Sequence, residues 1–421
     1  MKKFSVNTVL SGLLIMFLFL QISCVKDVCK NSYTYTYFQP LYKTSAEVRA
    51  NIKSNAPRAI VNPGKIYIKG NYIFLNEVDK GIHVIDNSNP SSPLNMSFID
   101  LPGNVDIAVK GNILYADFYT DLVVMDISNP ANVLVVKFVS NVFPERYYYG
   151  YNTDSNQVIY DWVKKTVTNE MDCNTNTQVY SGGVLFTTMD AGLSNGSAAG
   201  TPVGISGSLA RFALINDYMY TVSNDSLKVI NIAAAQHPVL SNSISLGWGI
   251  ETLFPFKDKL FIGTNSGMLI YSVQNPVSPV KQGTFQHVRT CDPVIADDSI
   301  AYVTLHSGTK CQGFTNQLEV LNISNILSPS LIKTYFLTNP RGLSKDGNLL
   351  FICDGNDGLK VFNATNALSI VQIKQFMMAE ANDVIAFNHI ALVVAKDGLY
   401  QYDYSNAADI KLLSKMAVSN N

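Results

Sequence analysis

The sequence predicts an all-β chain: a single seven-bladed β-propeller of four-stranded antiparallel blades, with one long insertion. Three observations lead there. A short apolar run closed by a polar turn recurs seven times, starting at Ile82, Leu122, Leu227, Met268, Leu318, Leu359 and Leu399. The steps between starts are 40, 105, 41, 50, 41 and 40 residues, a period of repeat architectures rather than of separate domains. Between the runs, Gly, Asn, Asp, Ser and Pro punctuate short β-branched segments at the spacing of strands and turns.

The elements follow in order. Residues 1–23 read as a lipoprotein-type signal peptide: Lys2 and Lys3, an apolar stretch over 9–20, then Gln21-Ile22-Ser23 before Cys24. The stretch is short for a membrane span and sits at the terminus. A small residue before a cysteine resembles a lipobox and makes Cys24 the lipidation candidate; Gln21 stands where a leucine is usual. Residues 24–60 read as a tether, and 61–418 as the propeller. In the second unit, 106–110 is an apolar strand ending at the Gly111-Asn112 turn, and 113–116 returns. A polar loop over 117–121 leads to 122–126, and Ser128-Asn129-Pro130 delivers 133–139. Asp86, Asp126, Asn322 and Asp403 precede these turns, where a side-chain oxygen accepts from an amide two residues on and proline stops the strand. They are read as turn caps rather than ligands.

The strand Leu122-Val123-Val124-Met125-Asp126 resembles the LVIVD-repeat family, and the resemblance extends in weaker copies over 63–416. It implies a β-propeller, often in exported bacterial proteins, and carries over no reaction and no catalytic residue. The 105-residue step leaves an insertion at about 142–207, in which 157–168, with Trp162, looks like a long hairpin strand. An eighth blade using 184–189 is the alternative. The first and last units each hold a full set of strands, so the ring is expected to close without a shared blade.

Composition excludes some classes. The net charge of −1, with 15% charged residues, gives no basic stripe and no expectation of nucleic acid. No Cys/His spacing suggests zinc. Cys291 and Cys311 flank one hairpin unit and are a disulfide candidate for an oxidising compartment. Cys353, in an apolar run, is expected to be a buried free thiol.

Two groups of site candidates remain. Asp106, Arg211, Glu251, Asp292, Arg341 and Asp383 stand at the entry to innermost strands and are ligand-binding candidates at the channel mouth. Such carboxylates suit Ca²⁺, the one cofactor considered; no other is expected. Arg146, Tyr147, Tyr148, Tyr149 and Trp162 are partner-binding candidates, being the residue types that anchor interfaces and stack on sugars. The expectation is a non-enzymatic binding or scaffold protein of the cell envelope, held to the membrane by its lipid alone. Its partner is a protein or glycan met by one rim. The alternative is a glycan-active lyase or hydrolase using channel-mouth carboxylates. A closed channel favours the first and an open acidic cleft the second.

Overall fold

The computed structural model describes residues 30–144, 146, 151, 156–172, 205–287, 293–307 and 315–419. Seven four-stranded antiparallel blades occupy 63–100, 107–139, 212–245, 250–286, 294–336, 343–376 and 381–417, each built from consecutive strands. Four further strands lie outside the blade set: β1 (Lys30–Thr44), β2 (Ser54–Asn55), β3 (Gln157–Asp172) and β4 (Ile205–Ser206). One helix, α1 (Ser45–Ala50), follows β1.

Local chemistry makes the turns. Asp86 Oδ1 accepts from the amide and hydroxyl of Ser88 at 2.8 and 2.6 Å, and Asp126 does the same for Ser128 at 2.7 and 2.6 Å. Asn322 and Asp403 accept from the amides of Ser324 and Ser405. The serine bonds hold the Asp86 and Asp126 carboxyls below the ordinary range. All four are the turn caps that their spacing implied.

Each outermost strand carries a bulge against the third strand, as between Val84 and Ile85 in blade 1 and between Gln401 and Tyr402 in blade 7. A bulge twists an edge and makes it a poor template for another chain. The core lies between blades. The third residue of each second strand is buried there: Phe74, Tyr115, Tyr220, Phe261, Tyr302, Phe351 and, in blade 7, Leu392. Buried tyrosine hydroxyls find a carbonyl in the next blade: Tyr115 donates to Ala235 O at 2.7 Å and Tyr220 to Pro276 O at 3.0 Å.

Ring closure reuses the contact made between neighbouring blades. Ser97 Oγ of blade 1 donates to Pro130 O of blade 2 at 3.4 Å, and Ser414 Oγ of blade 7 donates to Pro90 O of blade 1 at 2.6 Å. Asn87 and Gln401 exchange amide hydrogen bonds of 2.9 and 2.7 Å across the same seam. Ile385, Leu392, Val394 and Leu399 pack there with Ile60, Ile66, Ile73, Leu75 and Ile85. No blade shares a strand across the seam, as the full first and last units implied. Gly283 occupies the place of Ser97 and Ser414 in blade 4, and a Cβ there would meet Ile326 O of blade 5 at 2.0 Å. Gly283→Ala is expected to push that seam apart and destabilise by about 1–3 kcal/mol, read as a lower melting temperature. An unchanged melt would show that the blade 4–5 contact is slack.

The segment expected to be a tether carries regular structure from Lys30 onward. Its Tyr/Thr alternation is strand periodicity, and the strand's partner is far away in sequence: β1 pairs with β3. The hairpin expected around Trp162 is therefore this ribbon. The chain forms two units, one holding 30–41 with 162–172 and the other the propeller. In the ribbon, Tyr33, Tyr35 and Tyr37 lie along one side with ring centroids 5.9 and 6.2 Å apart. Thr34 and Thr36 face Thr168 and Thr166 at 2.9 and 3.4 Å. In the propeller unit, a capping box of Thr44 and Glu47 starts α1. Arg49 of the helix pairs with Asp121 of blade 2, and β2 adds to the outermost strand of blade 1.

Candidate functional site

The centre of the propeller is filled by its own chain. β4 pairs with the innermost strand of blade 1, Ile205 facing Ile68 and Ser206 facing Tyr67. The residues after it reach three more innermost strands or their entries. Ser208 Oγ accepts from Leu343 N of blade 6 at 2.7 Å. Ala210 O accepts from Leu253 N of blade 4 at 2.7 Å, and Arg211 N donates to Asp106 Oδ2 at the entry to blade 2 at 2.7 Å. A segment bonded to blades 1, 2, 4 and 6 lies on the axis, and Ser208 and Ala210 are wholly buried. β4 runs antiparallel to a strand that descends from the loop-rich rim. Residues 205–211 therefore climb the channel from the tight-turn face and enter blade 3 at its top.

Strand register sorts the charged candidates. Lys65 precedes the regular pairing of blade 1, which resumes at Ile66–Leu75. The same register position holds Asp106, Arg211 and Asp383, whereas Glu251 and Arg341 fall one residue earlier. Asp292 lies outside the described residues. Lys65 is the member that the sequence reading missed. It was detectable, since it precedes Asp106 by one repeat period.

At this level Lys65 Nζ donates to Asp106 Oδ2 at 2.5 Å, both side chains almost fully buried. Asp106 Oδ1 accepts from Ile107 N at 2.8 Å. Asp117 accepts from the amides of Val105 and Asp106, each at 2.8 Å, and from Arg146 at 3.3 Å; burial nevertheless raises its carboxyl above the ordinary range. Burial also pulls the Lys65 ammonium and the Arg211 guanidinium down, with Asp106 opposing both. Asp383 is different. It is wholly buried, and neither carboxylate oxygen makes a well-formed hydrogen bond. Burial pushes its carboxyl well above the ordinary range; the Val384 amide and the Lys65 ammonium offset this only in part. Gly342 makes room for it, since a Cβ there would lie 2.1 Å from Asp383 Oδ1.

Among the described residues, no group of three or more His, Cys, Asp or Glu side chains is placed to hold a metal ion. Of the channel-mouth candidates, Asp106 and Arg211 meet beside the threaded segment, where Asp106 also pairs with Lys65. The acids of the 354–358 turn are likewise spent inside the protein: Asp354 accepts from Thr338 N, Asn339 N and Lys360 Nζ, and Asp357 from Lys360 and Thr338.

The partner-binding candidates separate. Arg146 pairs with Asp79 and Asp117 and donates to Gly103 O, clamping the rim of blades 1 and 2 rather than facing outward. Trp162 belongs to the ribbon. Tyr147, Tyr148, Tyr149, Cys24, Cys291 and Cys311 lie outside the described residues. Cys353 is buried and free, and burial raises its thiol well above the ordinary range.

Exposed apolar side chains occur elsewhere on the loop-rich rim. Trp248, 83% exposed, stands in the loop from blade 3 to blade 4. Gly247 and Gly249 flank it at φ +89°, a conformation that suits glycine. Phe336, 86% exposed, ends blade 5, and Met377, 68% exposed, follows blade 6. The sequence signal was a tryptophan set between two glycines at a blade junction.

Comparisons agree with this architecture. A protein from Lactobacillus plantarum superimposes with a TM-score of 0.53 at 12% identity, over 85% of this chain and 97% of that one. Saccharomyces cerevisiae Sqt1 gives 0.50 at 9% identity, over 91% and 89%. At these identities the likeness shows the fold alone. No curated protein sequence matches the chain. Residues 63–100 and 103–140 match the LVIVD repeat model, and these are blades 1 and 2. The chain is thus a seven-bladed β-propeller that carries LVIVD repeats.

Proposed function

We propose that this propeller is a non-enzymatic binding or scaffold module of the cell envelope, anchored through a lipid on Cys24. It recognises a protein or glycan partner through the rim of blades 3 to 6. The observation that carries the reading is a filled axis beside a rim with exposed anchors. Ser208 to Arg211 and the Lys65–Asp106 pair occupy the centre, whereas Trp248, Phe336 and Met377 stand exposed at the 3–4, 5–6 and 6–7 blade junctions. Tryptophan and other large apolar groups dominate the energetics of interfaces when a partner buries them. The order of basic residues, apolar stretch, Ser23 and Cys24 supports the anchor. In the described residues no helix is long and apolar enough to cross a membrane.

The test is crosslinked affinity co-purification from the native envelope, comparing the parent chain with Trp248→Ser/Phe336→Ser. Both positions are exposed, so the variant should melt like the parent while its partner is depleted several-fold. A partner recovered equally with both chains would sink the rim assignment.

A further inference from the structure

The structure assigns a second site, a side pocket for a neutral polyhydroxylated ligand of the saccharide class, at the rim of blade 1. It is independent of the rim of blades 3 to 6. The pocket is a cavity of about 570 Å³, within the range of small-ligand sites. Three parts of the chain build it. The 43–61 segment supplies one wall, the second-to-third and outgoing loops of blade 1 the floor, and the first residues of β3 the remaining side. The Thr44–Glu47 capping box fixes α1, which turns Val48 toward the core and leaves Asn51 at the pocket.

The polar lining argues for the ligand class. Lys43, Arg58 and Lys80 face Glu77, Asp100 and Asp161, so the formal charges cancel. Most of these groups already have a partner within the wall. Lys80 pairs with Asp161, Arg58 lies 3.7 Å from Glu77, and the Lys43 ammonium sits 4.1 Å from the Tyr160 ring centroid. Glu77 is held from behind by His83 Nε2 at 2.6 Å and Val61 N at 3.4 Å. Although burial opposes it, the His83 and Arg58 contacts keep the Glu77 carboxyl below its ordinary range. An anion or a cation entering such a wall would compete with the pairs that Lys80–Asp161 and Arg58–Glu77 already make. A neutral ligand with many hydroxyls meets donors and acceptors of both kinds without that loss, because charge-assisted hydrogen bonds favour it from either sign. Ala59, Val61 and Pro102 add apolar surface for the C–H faces of a sugar ring.

Saturation-transfer NMR tests the assignment on the mature full-length protein. The probes are glucose, N-acetylglucosamine and maltose, with diglycine as the zwitterionic comparison. The expected result is transfer to at least one saccharide, equal at low and high salt, since screening weakens only net charge attraction. Two variants read the location: Ala59→Trp, which fills the cavity from an exposed position, and Lys80→Ala, which removes one polar wall group. Each should cut saccharide transfer several-fold while melting like the parent. Transfer to none of the saccharides, transfer to diglycine alone, or saccharide transfer that survives both variants would overturn the site. A signal that collapses at high salt would also overturn it, by assigning a charged ligand.

Discussion

Lys65→Met should destabilise the propeller by about 3–5 kcal/mol, because it leaves the Asp106 carboxylate buried without its cation. Methionine keeps most of the volume and the apolar stem, so packing is nearly conserved and the loss reports the orphaned charge. The nearby Arg211 guanidinium acts on Asp106 too and draws the expected value toward the lower end. The second variant separates charge from packing. Lys65→Met/Asp106→Asn keeps an oxygen for one of the two amides, Ile107 or Arg211, that Asp106 now accepts from and removes the charge. It should recover much of the loss, measured by denaturant unfolding of the four chains of the cycle. If the double variant is as unstable as Lys65→Met alone, the pair is not the reason that the centre holds together.

The propeller was legible because its signals are local. An Asp or Asn accepting from the amide two residues on makes the same turn in six of the seven blades, with Ser272 in that place in blade 4, whatever the blade packs against. The central cluster depends instead on register. A one-residue shift at the entry to an innermost strand moves a side chain between faces, and it separates Glu251 and Arg341 from Asp106 and Asp383. Lys65 was passed over for that reason: its charge has meaning only beside Asp106, one blade away. The ribbon shows the same limit. The alternation over Tyr33 to Tyr37 is a strand pattern, but its partner, β3, follows two whole blades. Threading of the axis was illegible altogether, because Ser206 to Ala210 reads as a linker and only its hydrogen bonds to three blades show its place.

That placement has a consequence for how the molecule stays closed. The segment on the axis belongs between blades 2 and 3 in sequence, yet it is bonded to blades 1, 4 and 6 as well. It joins blades that are not neighbours, which no outer contact of the ring does. The Asn87–Gln401 and Ser414–Pro90 contacts hold the seam from outside, and the axial segment ties blade 1 to blades 4 and 6 from within.

Asp383→Asn should stabilise the protein at neutral pH and flatten its pH dependence. The carboxyl is buried without a well-formed hydrogen bond, so folding favours its protonated form. The sign follows from proton counting. Between the unfolded value, about 3.9, and the raised folded value, the unfolded chain has released this proton and the folded chain has kept it. The contribution is therefore fully present below the unfolded value and is lost as pH rises, at about 1.4 kcal/mol per unit, until the folded value is passed. The groups that bear on Asp383 are Lys65, which lowers its pKa, and Asp106, which raises it; Asp383 in turn raises the buried Cys353 thiol. Lys65 itself is pushed down by burial, so its own linkage runs the other way, with stability lost as pH falls from about 10.4. The two are separated by variant: Asn at 383 removes only the acid-side slope. Unfolding curves of parent and variant from pH 4 to pH 8 should converge at the acid end and diverge steadily above it. Parallel curves would mean that Asp383 is ionised in the folded protein, with Lys65 compensating for it across the axis.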